Sequence, residues 1–517
     1  MTIITSPYFP TFDEDKTMRH EARGNFIDAQ WICPDDAEIW RRENPARIDD
    51  TVMELPWSTQ AVDEAVASAR SAQKDWARRP IDDRLRFLAR FRDALEARQD
   101  ELARAICLEM GKPLWEALGE ARALTKKIDI MTDEGLRFTA PVHPEGLSQG
   151  SWRYRPLGVL AIVGPYNFPL HLPNGHLVPA LATGNSVVVK PSEFSPLSMQ
   201  LYFQCLQEAD FPAGVVNLVQ GPGPVGAGLS AHPDVDGVLF TGSYRTGLRI
   251  KKATIEQPSK LLALEMGGKN TTIVLDDADL EQALCAITES ACLTTGQRCS
   301  ATSRVVVHSH VADDLIDGLR DLFERTTTGD PLNDDPLMGP LATKPGFRKF
   351  VDAQQDDEGG NLTALLRGGA HPDYQNGYFV RPALWHATTV DPGGSHQADE
   401  IFGPDVIIYT VRDDREAIDV ANATDYGLAM SVFTADEERF DDMAHDLEAG
   451  ILNLNRSTVG ASSRLPFGGI KKSGNHRPAA ILAGLYCTYP VASLRTPPQF
   501  DPSTVAEGPL SRLREEG

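Results

Sequence analysis

Cys299 lies in Thr294-Thr295-Gly296-Gln297-Arg298-Cys299-Ser300, a polar, glycine-containing turn that follows a helical stretch. Most cysteines are small core residues, but apolar packing does not need Gly-Gln-Arg around it. A neighbouring cation lowers a thiol pKa, and the thiolate is the nucleophile, so Arg298 is expected to activate Cys299. Glu265 ends the apolar run from Leu261 and precedes Met266, Gly267 and Gly268. A carboxylate there is expected in a partly desolvated place, where burial raises its pKa toward the range of a general base. Asn167 sits in Gly164-Pro165-Tyr166-Asn167-Phe168-Pro169, just past another apolar run. Its side-chain amide could stabilise an oxyanion; taken alone, a turn-forming Asn accounts for the position at least as well. Spacing does not give the mutual geometry of the three.

Two further segments suit a nucleotide. Val187-Val188-Val189-Lys190-Pro191-Ser192-Glu193 ends an apolar run. In open α/β sheets, ligands sit at the carboxyl ends of strands. Lys190 and Glu193 are then expected to face one together. A carboxylate binds both ribose hydroxyls and repels a 2′-phosphate, which predicts NAD over NADP; the alternative is a surface ion pair of little worth. Gly242-Ser243-Tyr244-Arg245-Thr246-Gly247 opens a basic helical segment after a strand. Helix N-terminal N–H groups and the Ser243 hydroxyl suit a pyrophosphate, and Ser243 as an ordinary N-cap suits the residues equally. Gly221-Pro222-Gly223-Pro224-Val225-Gly226 fits G-x-G-x-x-G. Its two prolines lack the N–H groups that a phosphate needs, so a glycine-rich turn is the expectation.

A metal site is not expected. The seven cysteines include no CxxC. Cys285, Cys292 and Cys299 recur every seven residues, as on one helical face, but lack ligand spacing around them. His308 and His310 have no acidic or Cys neighbour in sequence. Lys+Arg total 50 and Asp+Glu 73, a formal charge of −23, which disfavours phosphate backbones and so nucleic acid. The N-terminus has no basic n-region or apolar h-region, and no run reaches the length of a membrane span. A cytoplasmic protein without membrane or nucleic-acid partners is expected.

At 517 residues the chain has room for two to four domains. Residues 61–128 carry apolar residues at helical spacing, with Gly111-Lys112-Pro113 as a stop. From 157 the grammar changes. Strands are expected at Gly158–Val163, Ser186–Val189, Val215–Val219, Gly237–Phe240, Leu261–Leu264, Thr271–Leu275 and Arg304–His308, and a further one at Leu485–Leu494. Strands alternating with helices argue for parallel α/β layers covered on both faces. Residues 354–377 read as a loop-rich interruption. Residues 1–24 and the tail from 497 read as irregular.

Together these segments resemble the aldehyde dehydrogenase superfamily over about 25–495. GPYNFP, VVVKPSE, FTGS, LEMGGKN, GQRC, EIFGP (Glu400–Pro404) and PFGGIKKSG (Pro466–Gly474) occur in the family's order. The resemblance implies an atypical Rossmann cofactor domain (25–134 and 155–266) and an α/β catalytic domain (267–460). It also implies a small β oligomerisation arm (135–154 and 485–496) and assembly as a homodimer or homotetramer. It implies Cys299 as nucleophile, Glu265 as general base, and Asn167 with the Cys299 N–H as oxyanion hole. NAD would be held by Lys190 and Glu193 at the adenine ribose, by Gly242 to Gly247 along the pyrophosphate, and by Glu400 and Phe402 at the nicotinamide ribose.

Within that family, His171–Leu181, Gly460–Ser463 and Ser473–Pro478 are similar to the N-succinylglutamate 5-semialdehyde dehydrogenases of arginine catabolism. That substrate is multiply anionic, which nominates Arg298, Arg456 and Arg464 for carboxylate contacts. Lys269 and Asn455–Val459 depart from the subfamily pattern, so another anionic or aliphatic semialdehyde is the alternative. A CoA-acylating enzyme is disfavoured by Glu265, and a silent scaffold by the intact Cys299, Glu265 and Asn167.

Overall fold

The computed structural model describes residues 20–495 and 499, apart from 36, 148, 334, 356–359 and 392. Most of the expected N-terminal arm and nearly all of the tail lie outside them.

The first helical region folds as α1 (Ala61–Arg78), α2 (Ile81–Ala97), α3 (Gln99–Met110) and α4 (Leu114–Asp133). One long periodic stretch is therefore two helices. Arg98 leaves the helical region at φ −115°, ψ 19°, and its guanidinium ties Glu101 (2.7 Å) to Glu208 (3.0 Å). Gly111 ends α3 at φ +71°, where a Cβ would be strained, and Pro113 precedes α4.

Two seven-stranded sheets organise the rest. In the first, Val159–Val163 lies between Ser186–Lys190 and Gly237–Thr241, with Val216–Leu218 and Leu261–Glu265 outside them, all parallel. Asn25–Ile27 and Gln30–Ile32 extend one side antiparallel. The central strands are buried along their whole length, because helices α5 (His171–Thr183), α6 (Pro196–Glu208), α7 (Gly223–Ala231) and α8 (Tyr244–Ala253) alternate with them. In the second sheet the order is Leu362–Leu366, Ala383–Ala387, Asp405–Val411, Thr302–His308, Asn270–Val274, Ala429–Phe433 and Ile451–Leu454. Only Leu362–Leu366 runs antiparallel to its neighbour.

The hairpin Glu38–Asn44 with Arg47–Trp57 has no counterpart in the sequence expectations. Its charged residues hide it, although Arg42 is buried. Gly150–Pro156 pairs antiparallel with Thr488–Leu494 as a separate two-stranded ribbon. The expected strand from Leu485 starts late. Ala483–Tyr486 is a short helix that points Tyr486 inward to His176. No helix among the described residues is long and apolar enough to cross a membrane.

Candidate active site

Glu265 is the last residue of its strand, and Asn270 opens the first strand of the other sheet, so Met266 to Lys269 cross between the two. The Glu265 backbone is fixed on both sides: its carbonyl accepts from the Gly242 N–H at 3.0 Å, and Met266 N–H donates to the Ser473 carbonyl at 2.9 Å. Its side chain is 4% exposed, and Oε2 has no hydrogen-bond partner. Burial pushes its carboxyl well above the ordinary range, against a smaller opposing pull from the Gly469 N–H.

Cys299 lies beyond α9 (Leu280–Cys292), in a turn closed by Ala301 N–H to the Arg298 carbonyl at 3.0 Å. Cys299 and Glu265 line one cavity of about 200 Å³. Burial pushes the Cys299 thiol up to about 12, and the carboxylates of Glu400 and Glu265 act in the same direction. The backbone N–H groups of Cys299 and Ser300 oppose it. The expected activation by Arg298 is therefore corrected. Its guanidinium turns to Glu116 at 2.7 Å and to Thr294 Oγ1 at 2.9 Å, so its charge is spent there. The helical stacking of Cys285, Cys292 and Cys299 also fails, since α9 stops at Cys292.

Asn167 is 4% exposed, and its Nδ2 donates to the Gln297 carbonyl at 2.8 Å. That uses one amide hydrogen, ties the side chain two residues from Cys299, and leaves the second hydrogen for an oxyanion.

The approach to Cys299 is strained. Thr294 and Thr295 have φ of 55° and 54°, a costly conformation for β-branched residues. Glu116, buried on α4, holds the turn: it accepts from the Thr294 N–H at 2.9 Å, from the Thr294 hydroxyl and from Arg298. Arg298 and Lys112 overcome its burial and keep its carboxyl below the usual range. Glu116 escaped the sequence reading because its partners lie 178 and 182 residues away.

Glu400 approaches the same centre. Its carboxylate accepts from the Gly268 N–H at 2.9 Å and lies where a Cβ on Gly267 would stand. Burial raises it to about 7. Phe402 has φ +61° and meets Tyr166 edge-on at 6.0 Å. Lys269 donates to the carbonyls of His396 and Asp399, both at 2.9 Å, and so anchors the segment before Glu400.

Lys190 is 4% exposed and donates to Glu193 Oε2 at 3.4 Å, a long contact for a buried ammonium. Gly226 on α7 lies against its stem, where a Cβ would meet Lys190 Cδ at 3.5 Å. An under-satisfied cation and a carboxylate at a strand's carboxyl end suit a hydroxyl-rich, anionic dinucleotide such as NAD. Ser243 is the N-cap of α8, accepting from the Thr246 N–H at 3.3 Å. Tyr244, Arg245 and Gly247 follow in the first turn.

Arg456 and Arg464 are not brought to the Cys299 cavity. Both are exposed, and Arg464 pairs with Glu134 at 2.7 Å. The cavity wall instead carries Lys127, which the sequence reading missed. Helical spacing gave it no distinction from Lys126, which is exposed. His308 and His310 do acquire an acidic neighbour, since Asp276 lies with them within 4.8 Å. Two of the three side chains are engaged: His308 contacts the Arg412 carbonyl at 2.7 Å and accepts from the His310 backbone N–H, while Asp276 pairs with Arg439 at 2.9 Å.

A sequence profile of the aldehyde dehydrogenase family matches residues 31–488. The chain is 41% identical over 491 residues to the N-succinylglutamate 5-semialdehyde dehydrogenase of Chromohalobacter salexigens, covering 93% of this chain and 98% of that protein. It is 38% identical over 493 residues to the enzyme of the same name from Pseudomonas fluorescens, with the same coverage of 93% and 98%. Among solved structures, betaine aldehyde dehydrogenase from Staphylococcus aureus in complex with NAD+ is similar with a TM-score of 0.87 at 28% identity. That match covers 94% of this chain and 97% of the other.

Proposed function

This chain belongs to the aldehyde dehydrogenase family, and we propose that it oxidises N-succinyl-L-glutamate 5-semialdehyde to N-succinyl-L-glutamate with NAD, through a thioester on Cys299. The juxtaposition in one cavity of Cys299 and the Glu265 carboxyl, whose Oε2 has no hydrogen-bond partner, carries the reading of the site. The named relatives support the substrate.

The residues divide the work as follows. Glu265 takes the thiol proton as a base, directly or through water, and the sulfur adds to the aldehyde carbon. The free hydrogen of Asn167 Nδ2 and the Cys299 N–H donate to the new oxyanion. NAD, when bound, supplies the acceptor for the hydride that leaves this carbon. Lys190 and Glu193 would hold its adenine ribose, Gly242 to Gly247 would flank its pyrophosphate, and Glu400 and Phe402 would position its nicotinamide ribose. Once Glu265 has passed the thiol proton to solvent, it deprotonates a water, which attacks the thioester carbon and expels the Cys299 sulfur, freeing the carboxylate product. The first sheet and its helices (25–134 and 155–266) form the cofactor domain, and 267–460 the catalytic one. The ribbon of Gly150–Pro156 with Thr488–Leu494 joins copies into a dimer or tetramer, and the enzyme works in the cytoplasm.

The test follows NADH absorbance with N-succinylglutamate 5-semialdehyde, succinate semialdehyde and propanal. A kcat/KM preference for the first, abolished in Cys299→Ala, is the expected result. Equal or better turnover of another aldehyde discards the substrate and keeps the dehydrogenase.

A further inference from the structure

The cavity that holds Cys299 carries a cation for which the oxidation has no use. Lys127, near the middle of α4, reaches its wall beside His171 and Gly175 of α5. Its Nζ contacts the His171 carbonyl at 3.3 Å and His171 Nε2 at 3.4 Å. Among the described residues it forms no ion pair. The acid that influences it, Glu120, is spent elsewhere. One Glu120 oxygen pairs with Lys112 at 2.5 Å, and the other accepts from the Leu170 and His171 N–H groups, both at 3.1 Å. Arg298, the other cation on the wall, is neutralised by Glu116. A half-buried ammonium held by two long contacts to one residue is poorly compensated. Burial pulls Lys127 down to about 8, against a smaller upward pull from Glu120.

The contact bears on the state of His171. An ammonium only donates, so as a hydrogen bond this contact has Nε2 accepting and assigns the ring proton to Nδ1. That Nδ1 is buried and has no partner. Burial, with Lys127 and Lys112 nearby, holds this imidazole neutral, well below its usual pKa. The wall therefore offers an ammonium that has no carboxylate of its own. Gly175 makes room for it, since a Cβ there would lie 2.4 Å from Nζ.

We propose that Lys127 is the carboxylate-recognition point of the Cys299 cavity and sets the preference for an anionic semialdehyde. The ion pair forms with a substrate carboxylate while the aldehyde carbon lies at Cys299. This rests on the succinylglutamate reading and replaces the arginines expected from sequence.

The experiment compares N-succinylglutamate 5-semialdehyde with propanal in the full-length enzyme, its Lys127→Met variant and its Gly175→Ala variant. A charged hydrogen bond is worth enough that losing it costs about 30-fold. In Lys127→Met the ratio of kcat/KM values between the two substrates is expected to fall by about that factor, carried by KM and not kcat. Gly175→Ala, which displaces the ammonium and keeps the charge, is expected to move the ratio the same way, and it carries the test should Lys127→Met fail to fold. A wild-type preference that survives both substitutions, or equal losses on both aldehydes, overturns the proposal alone. A wild type with no preference overturns the substrate reading, and this inference with it.

Discussion

Glu265 and Cys299 share a problem at the residue scale: each needs to lose a proton where burial opposes charge. Burial raises both, the thiol to about 12 and the carboxyl well above its ordinary value. In the proposed roles both act in the deprotonated form, so kcat/KM for an uncharged aldehyde such as propanal, which makes no use of the Lys127 charge, is expected to rise with pH across roughly pH 6 to 9. A flat profile over that range contradicts the assignment. Glu265→Gln keeps the shape and removes the base. It is expected to lower steady-state turnover by about 10²–10⁴-fold. An acyl-enzyme on Cys299, read by mass spectrometry of the quenched protein, is expected to accumulate if deacylation is the step most impaired. Loss of turnover without any bound acyl group places the defect at thiol activation instead. Glu193 tests the cofactor end. Glu193→Gln removes the repulsion of a 2′-phosphate, so the preference for NAD over NADP is expected to fall by roughly tenfold. An unchanged ratio of kcat/KM for the two cofactors sinks that role.

Between residue and fold stands the turn that carries Cys299. Two consecutive threonines in left-handed backbone cost about 1–3 kcal/mol each, so something must over-determine them. Glu116 does so through the Thr294 N–H, the Thr294 hydroxyl and Arg298. It reaches the turn from α4, the same helix that carries Lys127. Glu116→Gln leaves Arg298 without its carboxylate, and breaking such a buried pair costs about 3–5 kcal/mol. The melting temperature is expected to drop by several degrees and kcat to fall with it, read by calorimetry and NADH formation. An unchanged Tm and kcat would show that the turn holds itself. The pH dependence has a definite sign. The Glu116 carboxyl is depressed in the fold, so its stabilisation is present above its unfolded value and is lost as the pH falls through the folded one.

For the whole molecule, the ribbon of Gly150–Pro156 and Thr488–Leu494 is the feature that a lone chain explains least. Two strands by themselves are marginally stable, and Leu494 is 76% exposed and Tyr489 44%. Burial of these apolar groups against another copy would stabilise both. Light scattering is expected to give a dimer or tetramer for the intact chain, and a smaller species for the double variant Tyr489→Glu, Leu494→Glu. A monomer in the first measurement would refute this.

The sequence alone determined the α/β class, the alternation from 157 onward and the identity of the chemical groups. Strand periodicity, glycine turns and a thiol in a polar loop are local signals that survive in one dimension. Seven expected strands lie within two residues of the observed ones, because each is a short apolar run cut off by turn residues. The charged hairpin at 38–57 was invisible because its partners, not its composition, make it a hairpin. The same holds for the site. Cys299, Glu265 and Asn167 were legible by type and context. Which cation serves which anion was not. Arg298 looked like an activator of the thiol and proved to be the partner of Glu116, while Lys127 looked like any helix lysine and proved to line the Cys299 cavity. Charge pairing is settled by distances of a few ångströms between residues far apart in the chain, and only the tertiary structure fixes those.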